Sequence, residues 1–250
     1  MANISNKAQQ MPASAIRKLV PFADAAKKEG VKVYHLNLGQ PDIKSPACAL
    51  EAIKNYSKEN ISYSHSAGLM ELRQGLVEKY YKNIGIDITV DELIVTVAGS
   101  ESVNLALEIA CDPGDEVLVL EPFYTNYNTF AFMNELTLKA IPTDIRKGFQ
   151  IPDIEEFEKA ITPKTKAILI CNPGNPTGTQ YSKESMLALG EIARKHDLFL
   201  LSDEVYREFC YTDEPHFSAM NIPGLEQNVI LIDSVSKRYN LCGARIGCIV

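Results

Sequence analysis

The middle and the end of the chain contain short, almost continuously apolar segments, each ending in polar or turn-forming residues. They include "EVLVL", "KAILICNP", "DLFLLSDE" and "NVILIDS", and stretches with helical spacing of apolar residues, such as "SESVNLALEIA", lie between them. Continuously apolar strands are typical of a parallel sheet covered on both faces, because both sides of each strand are then buried. The alternation therefore predicts an α/β fold with an open, mostly parallel sheet and helices on both faces.

Several other segments have a predicted conformation of their own. "SKESMLALGEIARKHD" is an amphipathic helix with Ser182 as its N-cap, and residues from about 14 to 29 are also predicted to be helical. "VKVYHLNLGQPD" is predicted to be a strand that leads into a turn, and "ARIGCIV" to be a strand at the chain end. Because the chain stops inside an apolar strand, we expect it to be truncated at its C-terminus.

Composition and charge exclude several classes of protein. The 250 residues suffice for one large domain, and the net charge of −7 argues against nucleic-acid and membrane-surface partners. We expect neither a signal peptide nor a membrane span, since no apolar stretch approaches about 18 residues. The six cysteines show no CxxC spacing, which favours reduced thiols in a cytoplasmic protein and no metal site.

In open parallel sheets, ligands bind at the carboxyl ends of the strands. The polar residues that follow the predicted strands are therefore expected to meet in one site. They are Gly99, Ser100, Tyr124, Asn172, Asn175, Asp203, Tyr206, Ser234 and Lys237.

Lys237 is the candidate nucleophile of this site. A single lysine usually lies on a solvated surface, but this one follows an apolar strand and lies near Ser234, Ser236 and Arg245. A neighbouring cation and desolvation both favour the neutral amine, which is the form that attacks a carbonyl group.

Asp203 follows the apolar run "LFLLS", and Tyr206 comes three residues later. An aspartate at a strand end is often only a helix cap. A buried carboxylate, however, needs a cationic or hydrogen-bonding partner, and a protonated ring nitrogen on a cofactor would serve. Tyr206 is predicted to direct its hydroxyl into the same cleft.

The segment "VTVAGSES" predicts a strand, a tight turn and a helix start, where the N–H groups of Gly99 and Ser100 favour an anion. Arg245 and two serines supply the cation and hydroxyls of a phosphate clamp. Asn175 is placed to hydrogen-bond a ring hydroxyl and Tyr124 to stack on a ring, although a turn-rich loop and ordinary packing would also explain these two residues.

Four motifs occur in a fixed order: "YSHSAGLMELR", "CNPGNPTG", "SDEVYREF" and "SVSKRYNLCGARIG". Together they resemble the class I/II aminotransferases, which are fold-type-I pyridoxal-phosphate enzymes, over nearly the whole chain. The resemblance implies an aspartate-aminotransferase-like large domain in residues 46–250, truncated before a small C-terminal domain. Residues 1–45 would belong to the small domain and to dimer contacts.

The resemblance also implies the role of each site residue. Lys237 would form an aldimine with pyridoxal 5'-phosphate and then move the proton between the substrate Cα and the cofactor. Asp203 would pair with the pyridinium nitrogen. Tyr206 and Asn175 would contact the ring oxygen, and Tyr124 would stack on the ring face. The phosphate would be bound by Gly99, Ser100, Ser234, Ser236 and Arg245, and Tyr63 would reach the phosphate of the neighbouring subunit. Gly39 and Asn175 would contact the substrate.

Two departures from the family pattern bear on this prediction. Ala98 stands where many relatives have glycine, and because alanine resists positive φ we expect an ordinary backbone conformation there. No residue matches the arginine that grips the substrate α-carboxylate.

The predicted activity is transfer of an amino group between an amino acid, with aspartate favoured, and a 2-oxo acid, with 2-oxoglutarate favoured, in a homodimer with shared sites. Alternatives are another pyridoxal-phosphate lyase or decarboxylase, and a truncated cofactor-binding domain without full activity. A regulatory domain fused to a DNA reader is disfavoured, since only about a dozen residues precede the first predicted helix.

Overall fold

A seven-stranded sheet forms the centre of the computed structural model, which describes residues 2–12, 14, 16–37, 39–57 and 59–250. The spatial order of the strands is β1-β7-β6-β5-β4-β2-β3. In chain order they are β1 (Ile94–Thr96), β2 (Glu116–Glu121), β3 (Thr137–Pro142), β4 (Thr165–Cys171), β5 (Phe199–Asp203), β6 (Val229–Ser234) and β7 (Gly247–Ile249).

The sheet is mostly parallel, as predicted. Strands β2 to β6 pair in parallel with their neighbours, whereas β7 runs antiparallel to both β6 and β1. Because two reversals restore the direction, β1 points the same way as β6. Strand β7 forms within the predicted "ARIGCIV" segment and lies inside the sheet, between β1 and β6.

The α-helices, in chain order, are α1 (Asn6–Gln10), α2 (Val20–Lys28), α3 (Ala47–Lys54), α4 (Met70–Leu76), α5 (Ala98–Ala110), α6 (Asn126–Met133), α7 (Ile154–Ala160), α8 (Lys183–Lys195) and α9 (Val235–Arg238). Ser182 caps α8 as predicted, because its Oγ accepts a hydrogen bond from the Ser185 N–H at 3.2 Å. The helix expected from about residue 14 begins as a 3-10 turn at Arg17 and continues as α2. Within the described ranges, no helix has the length and apolar character needed to cross a bilayer.

Alternate residues of the central strands face two separate apolar cores. Leu118 and Ile168 pack with residues of α7 and α8 on one face, whereas Val119 and Leu169 pack with residues of α5 and α6 on the other. Because successive side chains of a strand point to opposite faces, burial of both faces requires the continuously apolar strands seen in the sequence.

A third apolar cluster underlies the segment that follows α4. Tyr81, Ile86 and Leu93 pack there against Leu231 of β6 and Cys248 of β7. Residues Val77–Tyr81 form a single π-helical turn directly after α4. A π-helical turn of this kind shifts the register of the side chains and occurs often near functional sites.

The prediction of a strand in "VKVYHLNLGQPD" is wrong for the residues that the structure describes. Residues 31–37 and 39–42 form no strand, Leu36 is 95% exposed, and Leu38 lies outside the described residues. The segment runs outside the sheet, so its backbone has no neighbouring strand to pair with. The domain division at residues 45 and 46 stays a prediction.

Candidate functional site

The carboxyl edge of the sheet collects most of the polar residues singled out in the sequence. Strand β5 ends at Asp203 and β6 at Ser234, and each leads into a short connection with further site residues. Tyr124 follows β2, Asn175 follows β4, and Gly99 is the second residue of α5, which follows β1. Because these strands are parallel, their ends meet at one edge.

Asp203 is a buried carboxylate, only 5% exposed. Its Oδ2 accepts a hydrogen bond from the Tyr127 hydroxyl at 2.7 Å, and its Oδ1 accepts one from the Val205 N–H at 3.3 Å. Desolvation raises the pKa of Asp203 to about 6, and these hydrogen bonds offset only part of the effect. Among the described residues no cation forms an ion pair with this carboxylate. A bound cation beside Asp203 would therefore stabilise its ionised form.

Replacing Asp203 by asparagine should stabilise the protein when no cofactor is bound. The folded pKa of about 6 lies above the ordinary value of 3.8, so the carboxyl group favours folding most below about pH 4 and loses this contribution as the pH rises toward about 6. At about pH 7, Asp203→Asn should raise the free energy of unfolding by about 2 kcal/mol, and near pH 4 the difference should vanish. Urea unfolding at both pH values measures this, and equal stabilities at the higher pH would contradict it.

Tyr206, Asn175 and Gly39 lie together beside Asp203. The Asn175 Nδ2 donates a hydrogen bond to the Tyr206 hydroxyl oxygen at 3.2 Å, and a Cβ on Gly39 would lie 3.9 Å from that same oxygen. Burial raises the pKa of Tyr206, so its hydroxyl stays protonated at neutral pH. The hydroxyl can therefore accept from Asn175 while it donates to a ligand oxygen.

Lys237 lies on the single turn of α9, three residues beyond the end of β6. Its Nζ donates a hydrogen bond to the Gly39 carbonyl oxygen at 2.9 Å. The Ser45 hydroxyl donates to the carbonyl oxygen of Asn240, at 2.6 Å, just beyond α9. These contacts hold residues 39–45 across the Lys237 side of the site, whereas the contact of Gly39 with a substrate stays a prediction.

Hydroxyl and N–H groups line the predicted anion site. The Ser234 Oγ caps α9 by accepting from the Ser236 N–H at 3.1 Å and donates to the Ser236 Oγ at 2.8 Å. A Cβ on Gly99 would lie 3.8 Å from the Ser234 Cβ, so the start of α5 adjoins these serines. The Arg245 side chain is exposed and donates to the Cys242 carbonyl oxygen at 2.9 Å, its one hydrogen bond among the described residues.

The prediction of an ordinary backbone conformation for Ala98 is wrong, because its φ of +61° lies in the left-handed region. The turn from β1 into α5 requires a left-handed residue there, at a cost of roughly 1–2 kcal/mol for a non-glycine residue. The strand on the other side of this turn makes the conformation possible. A Cβ on Gly247 would lie 2.6 Å from the Ala98 carbonyl carbon, so only glycine in β7 allows the two backbones to approach this closely.

Two tyrosines at the start of α6 lie near Asp203. Tyr124, two residues before α6, is half-buried, and its ring meets that of Tyr127 edge to face, with ring centres 5.4 Å apart. Tyr124 was predicted from the sequence, whereas Tyr127, whose hydroxyl donates to the Asp203 carboxylate at 2.7 Å, was not. The tight turn into α6, in which the Tyr127 N–H donates to the Tyr124 carbonyl oxygen at 3.0 Å, brings the two tyrosines together.

The motif that begins at Tyr63 has two structural members. Gly68 has a φ of +98°, and a Cβ there would lie 2.5 Å from the Val95 side chain of β1. Arg73 is buried and donates to the Val90 carbonyl oxygen at 2.9 Å. Tyr63 itself is fully exposed, outside the cluster of site residues in this chain. Its contact with a neighbouring subunit stays a prediction.

The chemistry of the site fits pyridoxal phosphate. The buried Asp203 carboxylate, which has no ion-pair partner among the residues with described positions, matches the pyridinium nitrogen. The Tyr206 hydroxyl with the Asn175 amide matches the ring oxygen. The serines, the start of α5 and Arg245 match the phosphate, and Lys237 lies on the same strand-end edge. Within the described ranges, no group of three histidine, cysteine, aspartate or glutamate side chains is arranged to hold a metal ion.

Comparisons with known proteins point to one family of enzymes. The sequence profile of the family described as aminotransferase class I and II matches residues 31–250. Aspartate/prephenate aminotransferase of Thermus thermophilus is 34% identical over 248 residues, which cover 99% of this chain and 63% of that protein. Putative aminotransferase YugH of Bacillus subtilis is 37% identical over 246 residues, or 98% of this chain and 62% of that protein.

The fold also matches solved structures. The crystal structure of aspartate aminotransferase from Thermotoga maritima has a TM-score of 0.92 and 32% sequence identity, covering 99% of this chain and 66% of that one. This match confirms the aspartate-aminotransferase-like fold. The chain spans a little under two thirds of the length of the two curated relatives.

Proposed function

Since the chain belongs to the class I and II aminotransferases, whose cofactor is pyridoxal phosphate, we propose that it transfers an amino group between an amino acid and a 2-oxo acid. The observation that carries the proposal is Asp203, a buried carboxylate that forms no ion pair with any cation in the described part of the chain and whose pKa is raised to about 6. A bound cofactor supplies an electron-withdrawing ring that stabilises negative charge on the substrate Cα, and this ring is most effective when its nitrogen is protonated.

Asp203 would keep that nitrogen protonated, because an ionised carboxylate favours a cation beside it and the low-dielectric surroundings strengthen the attraction. Tyr127 would stabilise the ionised form of Asp203 by its hydrogen bond at 2.7 Å. Tyr206 and Asn175 would orient the ring through its oxygen, and Tyr124 would cover its face. Together these residues would hold and orient the ring for reaction.

Lys237 would hold the cofactor covalently through Nζ and, once displaced by the substrate amine, would move the proton at the substrate Cα. The hydrogen bond from its Nζ to the carbonyl oxygen of Gly39, a proposed substrate contact, supports this role. Gly39 and Asn175 are the residues proposed to contact the substrate. The phosphate would be held by Gly99, Ser100, Ser234, Ser236 and Arg245.

Aspartate and 2-oxoglutarate are the proposed substrates. Relatives that carry the name aspartate aminotransferase come from Thermotoga maritima and Pyrococcus horikoshii and are 32% and 36% identical to this chain. An aromatic-amino-acid aminotransferase of Thermococcus litoralis is 31% identical, so aromatic amino acids are the alternative to test beside aspartate.

The proposed assembly is a cytoplasmic homodimer in which Tyr63 reaches the neighbouring subunit's phosphate. Exposed apolar side chains in the first part of the chain support the proposal that this surface contacts a second copy of the chain. They include Tyr34, Leu36, Ile61 and Tyr63. Their burial against another subunit would remove apolar surface that a monomer leaves in water. The proposed division into an N-terminal segment, 1–45, and a cofactor-binding domain, 46–250, places Tyr63 on the domain side of the boundary.

Covalent attachment at Lys237 tests the proposal directly. Adding pyridoxal phosphate should produce a visible absorption band, and borohydride should then fix the cofactor on the peptide that contains Lys237. Lys237→Ala should lose both signals, whereas Lys44→Ala, which removes an exposed lysine near the segment over the site, should keep them. Mass spectrometry that finds the label on another lysine would contradict the assignment.

The same labelled protein separates transamination from elimination and decarboxylation. Aspartate alone should convert the bound cofactor to its amine form without release of ammonia or carbon dioxide, and 2-oxoglutarate should then restore the original absorption band. Release of either gas product at the rate of the spectral change would favour a lyase or a decarboxylase.

A further inference from the structure

A second group of charged side chains lies directly behind the proposed site residues. Its members, here called the buried charge network, have side chains that are at most 5% exposed, and none belongs to the proposed cofactor contacts. They are Glu204, Arg207, Asp233 and Arg238.

We propose that the buried charge network fixes Lys237 relative to Asp203 and Tyr206, and that Arg238 is the positioning residue for Lys237. The inference rests on the proposed function, which gives these three residues their roles. It concerns how the site is held in place, and Arg238 itself touches none of the atoms that react.

The network residues and the site residues are neighbours in sequence. Glu204 follows Asp203, Arg207 follows Tyr206, Asp233 precedes Ser234, and Arg238 follows Lys237. Successive side chains of an extended or tightly turned backbone point to different sides. Each backbone segment therefore carries one side chain into the site and the next into the network, so a shift of the network moves the site.

The closest link is between Arg238 and Asp233. The Arg238 Nη2 donates to both carboxylate oxygens, at 2.9 Å and 2.7 Å, and the two side chains are only 5% and 1% exposed. The Asp233 Oδ1 also accepts from the Ser234 N–H at 2.7 Å. This pair ties α9 back to the end of β6 across the turn that carries Lys237.

Two successive tyrosines of the π-helical turn hold this pair from the other side. The guanidinium carbon of Arg238 lies 3.7 Å from the centre of the Tyr80 ring, a cation–π contact. The Tyr81 hydroxyl donates to the Asp233 Oδ2 at 2.9 Å. The π-helical turn therefore contributes two adjacent side chains to the same network.

Arg207 extends the link toward Asp203 and Tyr206. Its Nη2 and Nε donate to the Glu204 Oε2, at 2.6 Å and 3.2 Å, and its Nη1 lies 4.0 Å from the Asp233 Oδ2. The Glu204 Oε1 accepts from the Ser218 hydroxyl and the Ala219 N–H, both at 2.9 Å. The two guanidinium groups and two carboxylates balance in charge, which is the condition under which such groups can remain buried.

Helix α9 has too few residues to hold its own geometry. With one turn of four residues, its position depends on side-chain anchors rather than on helical hydrogen bonds. Loss of Arg238 would free that turn and leave Asp233 without its bidentate partner. A displacement of about 1 Å at a reacting group is enough to lower a rate by about 100-fold.

The test compares Arg238→Met and Arg238→Lys with the unmodified intact protein loaded with pyridoxal phosphate. Arg238→Met should lower kcat about 100-fold with little change in KM. It should also raise the midpoint of the pH titration of the visible absorption band by about one pH unit, because removal of the Arg238 charge leaves more negative charge around the turn that carries Lys237. Arg238→Lys, which keeps the charge, should recover part of both effects.

Arg73→Met is the matched control, since Arg73 is equally buried and binds a backbone carbonyl oxygen away from the site. It should lower the melting temperature without changing kcat or the absorption midpoint. The proposal is overturned if Arg238→Met leaves kcat and the absorption midpoint unchanged, or if Arg73→Met changes both of them equally. It is also overturned if neither Arg238 variant folds, because the network would then be required only for folding. An unmodified protein that attaches no cofactor at Lys237 would remove the proposed function as well, whereas a labelled Lys237 with unchanged Arg238→Met readouts would remove only this inference.

Discussion

An Asp203→Ala variant is expected to attach pyridoxal phosphate at Lys237 and yet to turn over amino acids about 100- to 1,000-fold more slowly. Attachment needs only the lysine amine and the phosphate contacts, which the substitution leaves in place. Turnover needs the ring nitrogen to stay protonated, and loss of one preorganised electrostatic partner typically lowers kcat by about this factor. Borohydride labelling measures the attachment, and single-turnover kinetics with aspartate measure the proton-transfer step.

Asp203→Glu is the control that keeps the charge but moves it by one methylene group. It should recover part of the lost rate, because the carboxylate remains within the same buried region beside Tyr127. Turnover of Asp203→Ala near that of the unmodified protein would show that Asp203 acts only as a cap through its contact with the Val205 N–H at 3.3 Å.

The expected behaviour of Asp203 links stability to function. The same carboxyl group lowers the stability of the cofactor-free protein above about pH 6, since its desolvation raises the pKa to about 6. A cation placed beside it would reverse this cost and add to binding. A side chain that opposes folding at neutral pH and awaits a ligand is typical of a functional site.

The sheet and its carboxyl-edge site were predictable because each rests on local patterns. Continuously apolar runs such as "KAILIC" identify buried parallel strands, and parallel strands bring their ends together whatever the details of packing. Asp203 ends such a strand, and Tyr206 and Lys237 each lie three residues beyond a strand end. The sequence therefore predicts a site at this edge from local patterns alone.

What the sequence did not predict depends on contacts between distant segments. Tyr127 reaches Asp203 across 76 positions of the chain, and the Tyr81 contact with Asp233 spans 152. The conformation of Ala98 depends on Gly247 in another strand, and the segment near Leu36 lacks a strand because no partner lies beside it. No local pattern encodes these pairings, since each is decided by which strands and helices become neighbours.

Alanine substitutions at the two glycines of the "SVSKRYNLCGARIG" motif should differ strongly in their effect on stability. At Gly247 a Cβ would lie 2.6 Å from the Ala98 carbonyl carbon and 2.8 Å from the Asp233 carbonyl oxygen, both of which are backbone atoms that cannot rotate away. We expect Gly247→Ala to lower the free energy of unfolding by about 3 kcal/mol, the upper part of the range for overpacking. Thermal unfolding should show a fall of about 10 °C in the melting temperature.

Gly243→Ala is the matched control, because a Cβ at Gly243 meets no atom within 4 Å. Its melting temperature should stay within about 2 °C of the unmodified protein, since substitutions away from buried or strained sites change stability little. Gly247→Ala should also weaken phosphate binding, because the clash pushes Ala98 and therefore Gly99 away from Ser234. Inorganic phosphate should accordingly compete less well with pyridoxal phosphate in Gly247→Ala than in Gly243→Ala. Equal melting temperatures for the two variants would show that β7 can move away from the α5 turn, and the close approach of Gly247 to Ala98 would then not be required for the fold.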